Sequence, residues 1–471
     1  MAEASATNGV HGDMKSEWSA LFAGSHGLML GLISAGIGLH AFNQFAIVAA
    51  MPLAAAELGG MSAFSWAYSL YFIGSIAGGT GAAAFRDRFG TRTALLFSSF
   101  VFALGGLMAL AAPSFSWILA GRLLQGIADG LIVAICYSLI PANFPSALIA
   151  KVFAVEAIVW AVTALAGPVA GGWLTEAFSW RISFLASAPL LLLLPVFVLA
   201  VKPRTTEASA THFQPVSIGL CLAAALVLSL SAVMERAEMQ VATLSAGAGL
   251  FILTLRLDGR VGKKLFPEGA FRFRSVLGHG FWVLFLMSAA HSVASVYLAP
   301  MVAETWGYGP AVVGYIVVLM ALTWSVVAVV ASRARSLPQR HFWLRSGPLF
   351  QFAGFIAIAV ALSQGSIWLL ILGQMAIGTG FGTAWANVNQ AAMEAATLAE
   401  RDLTSALLPT ISTAGYAVGA GLAGMIASAT GLVEKLAAGE ASGPAAWLYG
   451  IAAAGALVTF LFGFGVRLRE E

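Results

Sequence analysis

Residues 85–112 read FRDRFGTRTALLFSSFVFALGGLMALAA, a charged turn around Gly90 followed by an uninterrupted apolar run from Ala94 to Ala112. A helix needs about 20 such residues to carry its backbone through ~30 Å of hydrocarbon at 1.5 Å per residue. Outward from this stretch the same alternation recurs in both directions. Apolar runs bounded by charges, Pro or Gly number fourteen, the first at 28–50 and the last at 445–466. In lipid every backbone N–H and C=O needs a partner within the segment, so runs of this length are helices. The chain is therefore predicted to be an all-α integral membrane protein that crosses the bilayer about fourteen times.

Composition points the same way. Of 471 residues, 59% are hydrophobic and 10% charged, against roughly 25% charged in soluble domains. The net charge of +3 is spread over short loops rather than gathered into a basic patch, which argues against a nucleic-acid partner. Cys136 and Cys221 both fall inside predicted spans and read as small buried hydrophobes. Residues 1–27 are polar, with Asp13, Lys15 and Glu17, and lack the pattern of a secretory signal, so they are expected to form a cytoplasmic tail.

Lys and Arg mark the cytoplasmic loops of membrane proteins. With both termini inside, 20 of the 24 basic residues fall on inner segments; Arg181, Arg236 and Lys435 fall outside, and Arg122 within the fourth span. That asymmetry supports an even number of spans with both ends cytoplasmic. It also divides the chain into a six-helix bundle over 28–201, a linker with two extra helices over 202–276, and a second six-helix bundle with a short tail over 277–471. An internal echo supports the division: Gly126, Asp129 and Gly130 in the fourth span are matched by Gly378, Gly380 and Gly382 in the twelfth. Small residues four apart let helix backbones approach closely.

In the opening turn, Asp87, Arg88, Gly90 and Arg92 match the Asp-Arg-x-Gly-basic core that joins helices 2 and 3 in the major facilitator superfamily. The family's leading Gly falls on Ala83 and its first basic residue on Thr91. Arg122, Gln125 and Gly126 resemble the family's Arg-x-x-Gln-Gly element, and Gly167, Pro168, Gly171 and Gly172 resemble the Gly-Pro-x-x-Gly-Gly core of its antiporters. Trp180, Arg181, Phe184 and Pro189 resemble the region that follows in drug exporters, although the two upstream glycines fall on Ala154 and Thr163. The resemblance is to the fourteen-helix drug:proton antiporter branch. It implies the major facilitator fold, two six-helix bundles plus two inserted helices, with Asp87, Arg88, Gly90 and Arg92 as a cytoplasmic latch. The element around Phe42 to Pro52 resembles one that begins with Asp in that branch, but Asn43 stands in the Asp position.

Buried charge then selects the residues of interest. An Arg within a span costs about 2.5–3.5 kcal/mol on insertion scales, so Arg122 either faces a wet cavity or snorkels to the interface. Asp129 lies near mid-membrane, where snorkelling does not reach, and is the leading candidate to take up and release a proton. Seven residues put Arg122 and Asp129 on one face but about 10 Å apart along the axis, too far for an ion pair within the helix. His291 and Glu156 are further proton-coupling candidates; the alternatives are a packing histidine and an interfacial pair of Glu156 with Lys151. His40, Asn43, Gln44, Trp160, Asn387 and Tyr416 are expected to line the substrate cavity, and Asn43 and His291, each nine residues before a proline, are candidates to face each other across a pseudo-twofold axis.

The expected function is a proton-coupled secondary transporter that exports small amphiphilic compounds across a cell inner membrane as a monomer, using the proton gradient and no cofactor or metal. A specific metabolite or siderophore exporter, or a proton-coupled importer of the same fold, is the rival within transport. A channel or receptor is the rival outside it. No nucleotide-binding loop, metal cluster or catalytic triad appears in the sequence, which disfavours an ATP-driven pump or an enzyme.

Overall fold

The structure, a computed structural model, describes residues 18–48, 50–201, 215–230, 237–258, 266–331, 336–397, 400–440 and 442–468. Every regular element among them is helical. The first half runs α1 Gly24–Ala46, α2 Met51–Glu57, α3 Trp66–Phe89, α4 Thr91–Leu110, α5 Phe115–Asn143, α6 Ser146–Ala177, α7 Trp180–Ser183 and α8 Ala188–Ala200. Two further helices follow, α9 Pro215–Leu230 and α10 Ala237–Asp258. The second half runs α11 Val276–Ser295, α12 Leu298–Trp306, α13 Pro310–Ala331, α14 Leu337–Gln364, α15 Ile367–Ala395, α16 Arg401–Thr430, α17 Leu432–Ala437 and α18 Ser442–Gly463.

Eleven segments among the described residues are long and apolar enough to cross a membrane, against the fourteen expected. The other three expected spans, α3, α9 and α10, are helical but are not among the eleven; α9 is 16 residues long. The first long helix starts at Gly24, inside the stretch expected to be tail, while residues 1–17 lie outside the described residues.

The two halves repeat each other in detail. Their leading rods both break ahead of a proline: α1 gives way to α2 with Pro52 in its first turn, and α11 to α12 with Pro300 in its first turn. A proline ring cannot donate to the preceding turn and clashes with it, so the helix restarts there. Helices α3 and α5 pack through Gly126 and Gly130, where a β-carbon would strike the carbonyl oxygens of Tyr71 and Ser75. In the second half α13 and α15 pack in the same way: Gly378 and Gly382 sit on the carbonyls of Met320 and Trp324. With no hydrophobic drive between helices in lipid, this close backbone contact is what holds the bundles.

Contact between the halves is also paired. Helix α6 packs on α13, and α3 packs on α16, so the fifth rod of each half meets the second rod of the other. Helices α9 and α10 pack on each other, and α9 touches both α3 and α16. At the end remote from the basic loops, residues such as Ile47, Met51, Phe64, Phe115 and Trp180 share one core with Tyr297, Leu298 and Met301. At the basic end the first half keeps a separate core, built from Leu32, Phe102, Ile132 and Val198 among others. The halves thus share an apolar core at the remote end, while the first half keeps its own at the basic end.

A clamp at the remote end escaped sequence reading. Glu57 accepts from Arg181 Nη1 and from Trp180 Nε1, each at 2.6 Å, while Arg181 also donates to the Ala112 carbonyl at 3.3 Å. The Arg181 hydrogen bond, and then that of Trp180, hold the Glu57 carboxyl below its ordinary value of 4.5. A lowered carboxylate value means that the clamp is complete above pH 4.5 and is lost as pH falls through the lowered value. The pair is exposed and screened by salt, so the effect is small. Glu57→Gln is expected to lower Tm slightly at pH 7, and the gap from the unaltered protein to close as pH falls and as salt rises; thermal melts across pH and salt check this.

Candidate functional site

The buried polar residues of the first half converge at mid-membrane. Helix α1 runs from the basic end outward and α5 runs back, which brings His40 and Asp129 to matching depth. His40 Nδ1 lies 2.7 Å from Asp129 Oδ2, with the two side chains 14% and 1% exposed. Gln44 Nε2 lies 2.8 Å from His40 Nε2, one helical turn away on α1, and Ser75 on α3 donates to Asp129 Oδ2 at 3.3 Å. An amide NH2 only donates, so His40 Nε2 accepts from Gln44 and the ring proton sits on Nδ1, aimed at Asp129. The sequence had put Asp129 with proton coupling and His40 with the substrate cavity; the structure makes them one unit.

Arg122 is 1% exposed and does not snorkel. Its guanidinium lies 4.0 Å from the centroid of the Tyr71 ring, its Nε donates to the Ala67 carbonyl at 3.2 Å, and its Nη1 donates to Gln125 Oε1 at 3.0 Å. Ring face, carbonyl and amide replace the water that a buried guanidinium would otherwise lose. As the spacing predicts, no ion pair joins Arg122 to Asp129; Tyr71 neighbours Asn43 and Asp129 and lies between the two charges. Asn43 is 2% exposed, with its Nδ2 free of hydrogen bonds.

Glu156 lies ten residues into helix α6, which begins at Ser146. It is 2% exposed, accepts from Ser34 of α1 at 2.7 Å, and its other oxygen has no hydrogen-bond partner. The side chain of Lys151 lies outside the described residues.

The second half places aromatic groups where the first places charge. Through the shared glycines, Asp129 corresponds to Phe381, Arg122 to Gln374, and Ser75 to Trp324. Gln374 donates to the Ile316 carbonyl at 3.4 Å, the equivalent of the bond from Arg122 to the Ala67 carbonyl. Phe381 stacks on Trp324 at 4.8 Å and meets Trp385 at 5.6 Å. His291 meets Phe381 edge-on at 5.5 Å and Tyr416 at 6.1 Å, and Tyr416 stacks on Phe72 of the first half at 5.5 Å. Trp160 of the first half stands edge-on to His40 at 5.6 Å and to Phe45 at 6.4 Å. His291 Nδ1 has no hydrogen bond, and the ring borders a small void enclosed by second-half residues including Ser295, Gln374 and Tyr449. Asn387 departs from expectation. Its amide donates to the Thr383 carbonyl at 3.1 Å and accepts from Arg340 at 3.4 Å, which fixes it in the contact between α14 and α15.

The remaining motif residues take structural positions. Gly167 and Gly171 press α6 onto α1 at Phe45 and Ala46, while a β-carbon on Gly172 would lie 2.7 Å from Ala311 Cα on α13. Pro168 is in contact with Gly314 of α13. The motif therefore seals the remote end between the halves, beside the hydrogen bond from Ala311 N to Glu176 at 3.0 Å. At the basic end Gly90, at φ 81°, ends α3 and starts α4 in a conformation that other residues avoid. Arg86 pairs with Asp87 at 3.2 Å and donates to Ser138 at 3.1 Å; Arg92 donates to the Leu199 and Val201 carbonyls at the end of α8. Arg88 is exposed. These contacts of the latch residues stay within the first half.

Known proteins match this architecture. The Major Facilitator Superfamily matches residues 33–398. A probable multidrug-efflux transporter of Mycobacterium tuberculosis is 31% identical over 412 residues, covering 84% of this chain and 86% of that protein. A multidrug resistance protein B homolog of the same organism is 32% identical over 127 residues, 27% of this chain and 24% of that one. Among solved structures, a D-xylose–proton symporter superposes with a TM-score of 0.68 at 14% identity, covering 94% of this chain and 100% of that chain. A nucleoside transporter does so at 0.63 and 11%, covering 93% and 99%.

Proposed function

The chain belongs to the major facilitator superfamily of membrane transporters, and on that premise we propose that it is a proton-coupled exporter of small amphiphilic compounds. In this reading it lies in a cell inner membrane, as a monomer, with both termini and the basic loops cytoplasmic, and α3, α9 and α10 also cross. The observation that carries the reading is the buried His40–Asp129 pair of the first half, with an aromatic cluster of Trp324, Phe381, Trp385 and Tyr416 at the corresponding place in the second. The separate core at the basic end is read as a state parted on that side.

A proton added at His40 Nε2 turns the ring into a cation against the Asp129 carboxylate, and Gln44 answers by presenting its oxygen instead of its NH2. The pair keeps its hydrogen bonds in both states, so the protein can hold or release the proton without leaving a bare charge in the membrane. Glu156, bonded to Ser34 on α1, is a second proton-holding group in the same half. The aromatic cluster offers stacking and cation–π surface to an apolar or cationic ring without demanding a fixed hydrogen-bond pattern. In the parted state the site takes up substrate from the cytoplasmic side. Rocking about the α6–α13 and α3–α16 contacts would then expose it on the far side, where protons enter. Efflux is further supported by the multidrug-efflux description of the relative that matches over most of both chains.

Proteoliposomes test this directly. Substrate-driven proton movement is expected with cationic dyes and drugs, with transport abolished by a protonophore. Saturable uptake of one sugar or metabolite, indifferent to the dye panel, would overturn the multidrug reading. Flux without counterflow would overturn the carrier. Trp385, unlike the fully buried Phe381, keeps part of its ring uncovered, and Trp385→Ala is expected to lower affinity for aromatic substrates by up to about tenfold, from loss of about 0.5–1.5 kcal/mol of ring contact, while leaving the His40–Asp129 pair in place; dye-binding titrations check this.

A further inference from the structure

A cavity of about 530 Å³ opens between α14 and α18 at the basic end, remote from the His40–Asp129 pair, with His341, Phe342, Arg345, Leu349, Phe460 and Phe464 among its lining. Its rim is built by hydrogen bonds. His341 Nδ1 donates to the Leu337 carbonyl at 3.1 Å and Nε2 accepts from Leu468 N at 3.3 Å, which ties the chain's last described residues to the start of α14. Both nitrogens are thereby used, and Arg345 remains as the cavity's cation. Its guanidinium lies 4.8 Å from the Phe464 centroid, and its buried Nε has no hydrogen-bond partner. A charged donor left bare at membrane depth is costly and calls for an anionic acceptor. The duplicated scaffold does not demand the charge: Gly354 corresponds to Gly105 through their matching contacts with Gly373 and Gly121, and Arg345 then corresponds to Leu96. Around the cavity, Phe342, Leu349 and Phe464 are 62%, 40% and 50% exposed, an apolar surface at the height where acyl chains run.

We propose that this cavity holds an anionic phospholipid of the cytoplasmic leaflet, with its phosphate on Arg345 and its chains along Phe342, Leu349, Phe460 and Phe464. Basic pockets between helices on that side suit such headgroups. The leaflet assignment rests on the orientation proposed above; the binding itself does not. Native mass spectrometry of the full chain tests it with phosphatidylglycerol, phosphatidylcholine and inorganic phosphate as separate probes. Phosphatidylglycerol is expected to remain bound after phosphatidylcholine is stripped. Arg345→Gln is expected to cut its occupancy about fivefold, the effect of one basic residue at a membrane surface. Arg345→Lys retains most of the binding, and Lys435→Gln, on the short remote-end helix α17, leaves it unchanged. Equal phosphatidylglycerol retention by wild type and Arg345→Gln would overturn the proposal. So would displacement of the lipid by inorganic phosphate, which would mark an ordinary anion site. If Arg345→Gln does not remain monodisperse, competition of phosphatidylglycerol with phosphatidylcholine on the unaltered chain decides, and equal affinities reject the site. Because the readout is binding, failure of the transport reading leaves this result standing, and the reverse.

Discussion

Asp129→Asn is expected to uncouple transport from the proton gradient. If one proton moves per cycle, a gradient of one pH unit supports about tenfold accumulation, since each unit is worth ~1.4 kcal/mol; in the variant the ratio falls to about one. The asparagine keeps an acceptor for the His40 Nδ1–H and for Ser75, so the bundle retains its contacts. Substrate exchange without net proton movement should therefore persist. Gradient-driven accumulation and counterflow, measured on the same proteoliposomes, separate the two. An Asp129→Asn chain that still concentrates substrate would move coupling elsewhere, with Glu156 the next group to examine.

The second large effect is steric. Gly172→Val is expected to keep the remote end from closing, because the new side chain meets the backbone of Ala311 rather than a movable side chain. Overpacking of this kind costs about 1–3 kcal/mol, which shifts a two-state equilibrium about five- to a hundredfold toward the remote-open form. Spin labels placed at the remote ends of α6 and α13 should report longer distances, and turnover should fall with them. Unchanged distances would mean that the halves do not close along this seam. Gly171→Val, which strikes the Ala46 carbonyl within the first half, should instead lower stability without the same selective opening.

The helices were legible because each announces itself locally. Apolar length, Pro52, Pro300 and Gly90 act within a turn of where they stand, and the last span, expected at 445–466, was found as the helix Ser442–Gly463. The glycine echo between 126–130 and 378–382 also carried through, because close packing requires small residues wherever they lie in the chain. What the sequence withheld was adjacency between distant residues. Nothing local says that His40 turns toward Asp129, that Glu57 clamps Arg181, or that Ser34 reaches Glu156. Nor does anything local say that the Asn387 amide, on a polar face, serves Arg340 of a neighbouring helix. Helix starts were also misjudged where small and polar residues begin a helix: α1 starts at Gly24, inside the stretch expected to be tail.

The hairpin of α9 and α10 gives the two flanks of the molecule unequal cover. Each flank carries a seam between the halves, the crevice through which a compound dissolved in the bilayer would reach a site between them. On one flank α9 lies against both α3 and α16 and screens that crevice from the surrounding lipid. The seam between α6 and α13 has no such cover in the contacts described, so a carrier that takes its substrate from the bilayer would have one open flank rather than two.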